Sequence, residues 1–216
     1  MFLVSSAMKR NAVQQFSFAY GAAVSSACLK QLIKAGPAAL KEMDSANSVI
    51  VAVKNPALLS LVDRENPFAA AKAAADFRSA LIPEFLKAGA VLAGAESAML
   101  IFCFGSPLER IAFLQKNKKL QGAGSIEFFD NAALINRAIK LLAEIIPSAP
   151  ESWRFGIDCG ECSFSWSKET GYIANGRAVV RARILSSLAL QYKSRILISH
   201  TVREKIEYSA VKLNEL

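Results

Sequence analysis

The residues with the clearest metal-ligand spacing in this sequence are Cys159 and Cys162, in the motif CGEC. Thiolates spaced in this way bind zinc or exchange disulfides. A tetrahedral zinc site needs four ligands, and the other candidate ligands, Cys28, Cys103 and His200, form no second motif. We therefore expect no metal or redox centre here, and we interpret the pair as small buried residues in a strand and its exit turn.

Basic side chains are more numerous, and their usual partners are anions such as phosphates. The chain has 26 Lys and Arg against 18 Asp and Glu, a formal charge of +8. Lys54, Arg177, Arg181 and Arg183 are candidate phosphate-binding residues, since charged nitrogens form strong hydrogen bonds with phosphate oxygens. The loop at 115–125 adds further lysines. Because no aromatic stacking pattern accompanies these residues, a solvated basic face is the simpler interpretation, and a nucleic-acid partner is not favoured.

The composition indicates a folded protein with apolar surface available for a partner. Hydrophobic residues make up 53% of the chain and charged residues 20%, which excludes a disordered chain. Part of this apolar excess is expected to face a partner. A chain of 216 residues is stable without disulfides, so its four cysteines favour the reducing cytoplasm.

The N-terminal segment combines a basic pair, Lys9 and Arg10, with an uncharged run at 16–29. About 14 residues are too few for a membrane-spanning helix, which needs about 20. Small residues before Cys28 leave export or a lipid anchor open as an alternative. Helical spacing favours instead an amphipathic helix that packs on the domain or on another protomer. Its apolar residues are Phe16, Tyr20, Ala23, Val24 and Ala27.

Hydrophobic periodicity and turn residues predict a helical extension over 1–47 and one domain over 48–216, with loops at 44–47 and 115–125. The expected strands are 48–54, two within 90–107 that meet at Glu96 and Ser97, then 153–157, 162–166 and 195–199. The expected helices are 38–43, 57–87 with a break near Pro67 and an irregularity at Pro83, 108–114, 128–146, 177–192 and a short one capped by Thr201. The order βαββαβ describes an α+β, ferredoxin-like sandwich with extra C-terminal strands.

Three motifs near the C-terminal end resemble one known family. They are GIDCGE at 156–161, YIANGRAVV at 172–180 and ILIS at 196–199. Together they are similar to the pattern GIHxGE, YxxxGDxVN and ILVS of class III adenylate and guanylate cyclase catalytic domains. The resemblance covers about 48–213 and is strongest over 155–206. It implies the nucleotide cyclase variant of the predicted sandwich.

The resemblance also implies where the metal ligands of a cyclase belong. Such enzymes cyclise a nucleoside triphosphate with two metal ions held on two carboxylates. At the first position this chain has Val53, and at the second it offers Glu96 or Ser97, with a register uncertain by one residue. One candidate carboxylate is not a two-metal site, so we expect no metal cofactor.

The other half of a cyclase site lies on the helix after the YxxxGD motif and acts across a dimer interface. There the family has an Asn that orients the ribose and an Arg that stabilises the transition state. The matching positions here are Val180 and Ile184, which offer neither a hydrogen bond nor a charge. The resemblance therefore implies a degenerate member, a pseudoenzyme in signal transduction. Its apolar helix face, with Val179, would pair in a homodimer or with another cyclase-type domain.

Two alternatives stay open. The first is a divergent active cyclase that makes cyclic nucleotide from ATP or GTP, with Mg²⁺ or Mn²⁺ held by Glu96 together with Asp158 or Glu161. The second is a binder of nucleotides or nucleic acid that uses the basic face, whose affinity would fall steeply with salt.

Overall fold

A computed structural model describes residues 14, 17–36, 43–63, 67–117, 128–167 and 171–206. Its strands are β1 (Met43–Lys54), β2 (Val91–Ala95), β3 (Met99–Phe104), β4 (Arg154–Ser167), β5 (Gly171–Asn175) and β6 (Ile196–Ile198). Its helices are α1 (Ser26–Ala35), α2 (Pro56–Asp63), α3 (Pro67–Lys87), α4 (Pro107–Lys116), α5 (Asn131–Ile145), α6 (Arg177–Gln191) and α7 (His200–Arg203). The expected α+β fold is confirmed.

The strands form one sheet in the order β2, β3, β1, β4, β5. Strand β1 lies at its centre and is antiparallel to both neighbours. Strand β4 is long enough to pair with β1 along its whole length. Its first part also pairs in parallel with β6, and its last part pairs antiparallel with β5. Strands β3, β5 and β6 each pair with one strand of this central pair.

The two faces of the sheet support separate hydrophobic cores, because side chains alternate along a strand. Val49, Val51 and Val53 of β1 face one core, which α3 and α5 cover. Ile50 and Ala52 face the other core, which α6 and the N-terminal segment cover. The β1 residues named here are fully buried.

Helix α6 lies directly on β4 because Gly156 has no side chain. A Cβ atom built there would lie 2.1 Å from the carbonyl oxygen of Ala182 and 2.4 Å from the amide nitrogen of Ser186. Contacts this short require the helix to move. Gly156 therefore sets the position of α6 above the sheet.

A buried ion pair links α4 to α5. Arg137 Nη2 lies 2.7 Å from Glu109 Oε1, and the amide of Gly105 donates to Glu109 Oε2 at 2.6 Å. Burial raises the pKa of the Glu109 carboxyl, and the Arg137 charge opposes that rise. Since Glu109 is almost fully buried, its charge depends on these partners.

The N-terminal segment packs on the domain, as its apolar spacing predicts, and Tyr20, Ala23 and Val24 are buried there. The Tyr20 ring lies 6.2 Å from Trp166 and 6.0 Å from Tyr172, between centroids. The expected single amphipathic helix is wrong, since helical residues 17–20 are followed by a turn and α1 begins only at Ser26. The helix predicted at 38–43 lies mostly outside the described residues.

Three other expectations are corrected. The expected loop at 44–47 is part of β1, because these residues pair with residues 161–164 of β4. The two strands expected within 153–166 are one continuous strand, because β1 pairs with β4 without interruption from residue 154 to residue 165. The last helix is capped by Ser199, whose hydroxyl accepts from the amide of Val202, and not by Thr201.

No helix in the described part of the chain is long and apolar enough to cross a bilayer. The basic loop expected at 115–125 falls mostly on residues that the structure does not describe, as does the C-terminal tail after Ile206.

Candidate functional site

An open groove of about 520 Å³ lies where β1 ends, between the β2–β3 turn and α6. We call it the α6 groove. Its chemically useful residues are Lys54, Glu96, Ser97, Arg183, Ile184 and Ser187. The groove thus brings together several residues that the sequence separates by more than a hundred positions.

Lys54 is the cation at the base of the α6 groove. It follows Val53 in β1, so its side chain points to the α6 side of the sheet. Its Nζ donates to Ser187 Oγ at 3.0 Å, and that hydroxyl donates to the carbonyl oxygen of Arg183 at 3.1 Å. No carboxylate among the described residues lies within ion-pair distance of Lys54. Its charge is therefore available to an anion.

Glu96 is the carboxylate of the α6 groove, and Arg183 pairs with it directly. The two side chains are 54% and 41% exposed, so water screens the pair and its stabilising effect is small. With Lys54 included, these three residues leave one net positive charge. The groove suits an anion better than a cation.

Val53, at the expected metal position, does not reach the α6 groove. Its side chain is fully buried, and it packs in the core with Leu100 and Phe155, its neighbours in the register of the sheet. The described residues contain no group of three His, Cys, Asp or Glu side chains arranged to hold a metal. Glu96 alone, paired with an arginine, does not fit a two-metal centre.

The exposed surface of α6 carries the two positions at which the sequence resemblance placed the ribose-orienting and transition-state residues of a cyclase. Val180 and Ile184 are 56% and 51% exposed, one helical turn apart on the same side of α6. Val179, expected beside them, is instead buried in the core under α6. The exposed apolar surface is therefore narrower than the sequence predicts.

The remaining charged candidates lie outside the α6 groove. Arg181 Nε lies 3.2 Å from Asp158 Oδ2, and the buried Asp158 also accepts a hydrogen bond from Ser199. Arg177, at the start of α6, and Glu161, on β4, are exposed. Of the four candidate phosphate-binding residues, only Lys54 and Arg183 share the groove. Glu96 is joined there by neither Asp158 nor Glu161.

The four cysteines are free thiols. Cys159 and Cys162 lie in the middle of β4, three residues apart, so their side chains face opposite sides of the sheet. The two thiols therefore do not bind one metal ion together. Burial raises the pKa of Cys162 to about 11, and the charges of Asp158 and Glu161 add to the rise. Their expected burial is confirmed, while the expected exit turn is wrong.

No protein-family model matches the chain, and neither does any curated protein sequence. Solved structures do match. A bacterial light-regulated adenylyl cyclase aligns with 94% of this chain at a TM-score of 0.58 and 10% identity, over 56% of its own length. The chain therefore spans little more than half of that protein.

Two further structures support the same fold. A class III adenylyl cyclase-like ATP-binding protein from Pseudomonas aeruginosa aligns with 76% of this chain and 35% of its own, at a TM-score of 0.53 and 15% identity. A non-canonical dimeric guanylyl cyclase domain from the aquatic fungus Blastocladiella emersonii aligns with 77% of this chain and 86% of its own, at a TM-score of 0.53 and 14% identity. This protein thus has the fold of a class III adenylyl and guanylyl cyclase catalytic domain.

Proposed function

We propose that this chain is a catalytically inactive, nucleotide-cyclase-like domain that acts as a regulatory or protein-interaction module. The burial of Val53 carries the proposal. Where a cyclase requires a metal-binding carboxylate, this chain has an aliphatic side chain that is fully enclosed in its core. Neither a change of rotamer nor a ligand brings a carboxylate to that position.

The other half of the site supports the same conclusion. Glu96 pairs with Arg183, which opposes the binding of a divalent cation. Val180 and Ile184 offer no group that would stabilise charge on a phosphate. Because both halves lack the required chemistry, pairing with a second copy does not restore it.

A cyclase assay tests this proposal. Purified protein is incubated with ATP or GTP and with Mg²⁺ or Mn²⁺, and cyclic nucleotide is measured by mass spectrometry. We expect no product above that of a heat-denatured sample. Metal-dependent product that disappears in Glu96→Gln would establish the divergent cyclase and overturn the proposal.

The exposed apolar side of α6 supports a partner of the cyclase type, either a second copy or another cyclase-like domain. Ile184 and Leu59, which is 48% exposed, both line the α6 groove, and Val180 lies one helical turn from Ile184. Exposed apolar side chains grouped in this way are typical of interfaces. The fungal guanylyl cyclase domain with this fold is described as a non-canonical dimer, so it supports dimerisation of such a domain but not this particular face.

Light scattering at micromolar concentration tests the partner. We expect a dimer that Ile184→Asp weakens by at least tenfold. Leu190→Asp is the matched control, because Leu190 is 49% exposed on the same helix but about 120° away from Ile184. A monomeric parent protein, or equal effects of the two variants, would count against this interface.

A second candidate function is nucleotide binding without catalysis, supported by the unpaired charge of Lys54 in the α6 groove. We expect ATP to bind in a salt-sensitive manner and Lys54→Met to weaken it. Arg177→Met is the control, since Arg177 is exposed at the start of α6 and does not line the groove. Equal losses of ATP affinity in both variants would exclude this site.

The free thiols support the cytoplasm as the location of this protein.

A further inference from the structure

A second groove lies on the opposite side of the sheet from the α6 groove, and the cyclase-like site does not use it. It runs between α3 and the connection from α5 to β4, and its volume is about 440 Å³. We call it the α3 groove. Two carboxylates of α3, Asp76 and Glu84, line it, and none of its described lining residues is Lys or Arg. In a chain with a net charge of +8, the side chains that line this groove are acidic, although Arg195 donates to the backbone carbonyls of Ala149 and Pro150 beside it.

Asn55 at the edge of the α3 groove has an unmet hydrogen-bonding requirement. The side chain is 8% exposed, and its Oδ1 is buried without a hydrogen-bond partner among the described residues. The backbone of Asn55 is satisfied, because its amide donates to Ala98 and its carbonyl accepts from Leu58. Buried acceptors in folded proteins are almost always paired. A ligand in this groove is therefore expected to bring a donor.

The two carboxylates lie at opposite ends of an apolar stretch. Asp76 and Glu84 are eight residues apart on α3, which corresponds to about 12 Å along a helix axis. Neither pairs with a cation among the described residues. Between them the groove is lined by Phe77 and Ala80 of α3 and by Trp153. Phe77 and Trp153 pack edge to face at 5.0 Å.

We infer that the α3 groove binds a linear aliphatic polyamine. One terminal ammonium pairs with Asp76 and the other with Glu84, while an N–H of the chain donates to Asn55 Oδ1. The methylene groups lie along Phe77 and Trp153, as the aliphatic parts of cations commonly do on apolar surface. A compact cation such as Mg²⁺ does not span the two carboxylates. This inference is independent of the proposed function of the α6 groove.

Tryptophan fluorescence reports on this groove directly. The chain has two Trp, so Trp166→Phe leaves Trp153 as the single probe. Spermidine is added to this protein at constant ionic strength, with Mg²⁺ and 1,3-diaminopropane as comparison cations. We expect a saturable change with spermidine at millimolar concentration or below. Magnesium and the short diamine, whose amines do not reach both carboxylates, should give at most a tenth of that affinity.

Charge-neutral variants locate the binding. Asp76→Asn and Glu84→Gln should each raise the dissociation constant for spermidine about threefold to fivefold, as expected for an exposed ion pair. The double variant should raise it more than either single variant. Glu161→Gln, on the exposed surface of β4, is the matched control and should leave it unchanged. No spermidine binding, equal binding of Mg²⁺, or equal losses in the control would overturn the inference.

Discussion

Replacing Val53 by Asp tests the central observation, because it supplies the carboxylate that a cyclase has at this position. In an active site the new side chain would face substrate and be tolerated. In this chain it would lie in the core, where Val53 is fully buried beside Leu100 and Phe155. The variant therefore distinguishes a vacated site from a true core position.

The expected cost is large. Losing a buried valine side chain removes about 2 kcal/mol of apolar burial. Keeping an aspartate in the core raises its pKa by about 3 to 5 units, which corresponds to about 4 to 7 kcal/mol when it is charged. The sum, about 6 kcal/mol or more, is comparable with the whole stability of a typical domain. We expect Val53→Asp to be largely unfolded at neutral pH.

Urea denaturation followed by circular dichroism measures this cost, and its pH dependence identifies the cause. Because the folded-state pKa of the new Asp is raised, the charge penalty is absent below its unfolded pKa of about 3.9. Stability is then lost as the pH rises through the folded value. Phe68→Asp, at a position of α3 that is 89% exposed, is the control and should change stability by less than about 0.5 kcal/mol. A stable Val53→Asp protein, or one that gains cyclase activity, would refute the assignment of this side chain to the core.

Three further substitutions or treatments test other parts of the structure. Arg137→Met leaves buried Glu109 without its cation, so we expect the free energy of unfolding to fall by about 3 to 5 kcal/mol. This loss should grow as pH rises, because burial raises the pKa of Glu109. Urea titrations at several pH values measure it, and Lys140→Met, at an exposed position of α5, is the control. Gly156→Ala should lower the free energy of unfolding by at least about 2 kcal/mol, measured by the same urea titration. Gly160→Ala, whose Cβ meets its nearest atom at 3.7 Å, is the control and should lower it much less. Equal effects would contradict the close approach of α6. Burial raises the pKa of Cys28 to about 12, so a thiol reagent at pH 8 should label the native protein slowly and the urea-unfolded protein rapidly; fast native labelling would contradict this burial.

The central strand illustrates how far sequence alone reaches. Residues 48–54 are recognisable as a buried strand because β-branched residues dominate them. Residues 43–47 resemble a turn, since Asp, Ser and Asn favour turns, yet they extend β1 because β4 lies beside them. Pairing between distant segments overrides a local preference there. The continuous course of β4 was missed for the same reason.

The candidate site also has features that the sequence predicts and features that it does not. The absence of a carboxylate at Val53 follows from the sequence and the family pattern alone. The ion pair of Glu96 with Arg183 does not follow from the sequence. Arg183 is 87 residues away, and its approach depends on how closely α6 packs on Gly156. The α3 groove was also missed, since its carboxylates, Asp76 and Glu84, lie on an alanine-rich helix that has no recognisable motif.

The pairing of β1 with β4 determines when this protein is able to fold during its synthesis. Lys54 pairs with Arg154 and Met43 with Ser165, so about a hundred residues separate the two central strands in the chain. At about 5 to 20 residues per second, the ribosome needs roughly 5 to 25 seconds to add β4 after β1. During that interval β1 lacks its longest partner and exposes an unpaired edge. The nascent chain is therefore most open to aggregation, and most dependent on chaperones, before β4 emerges.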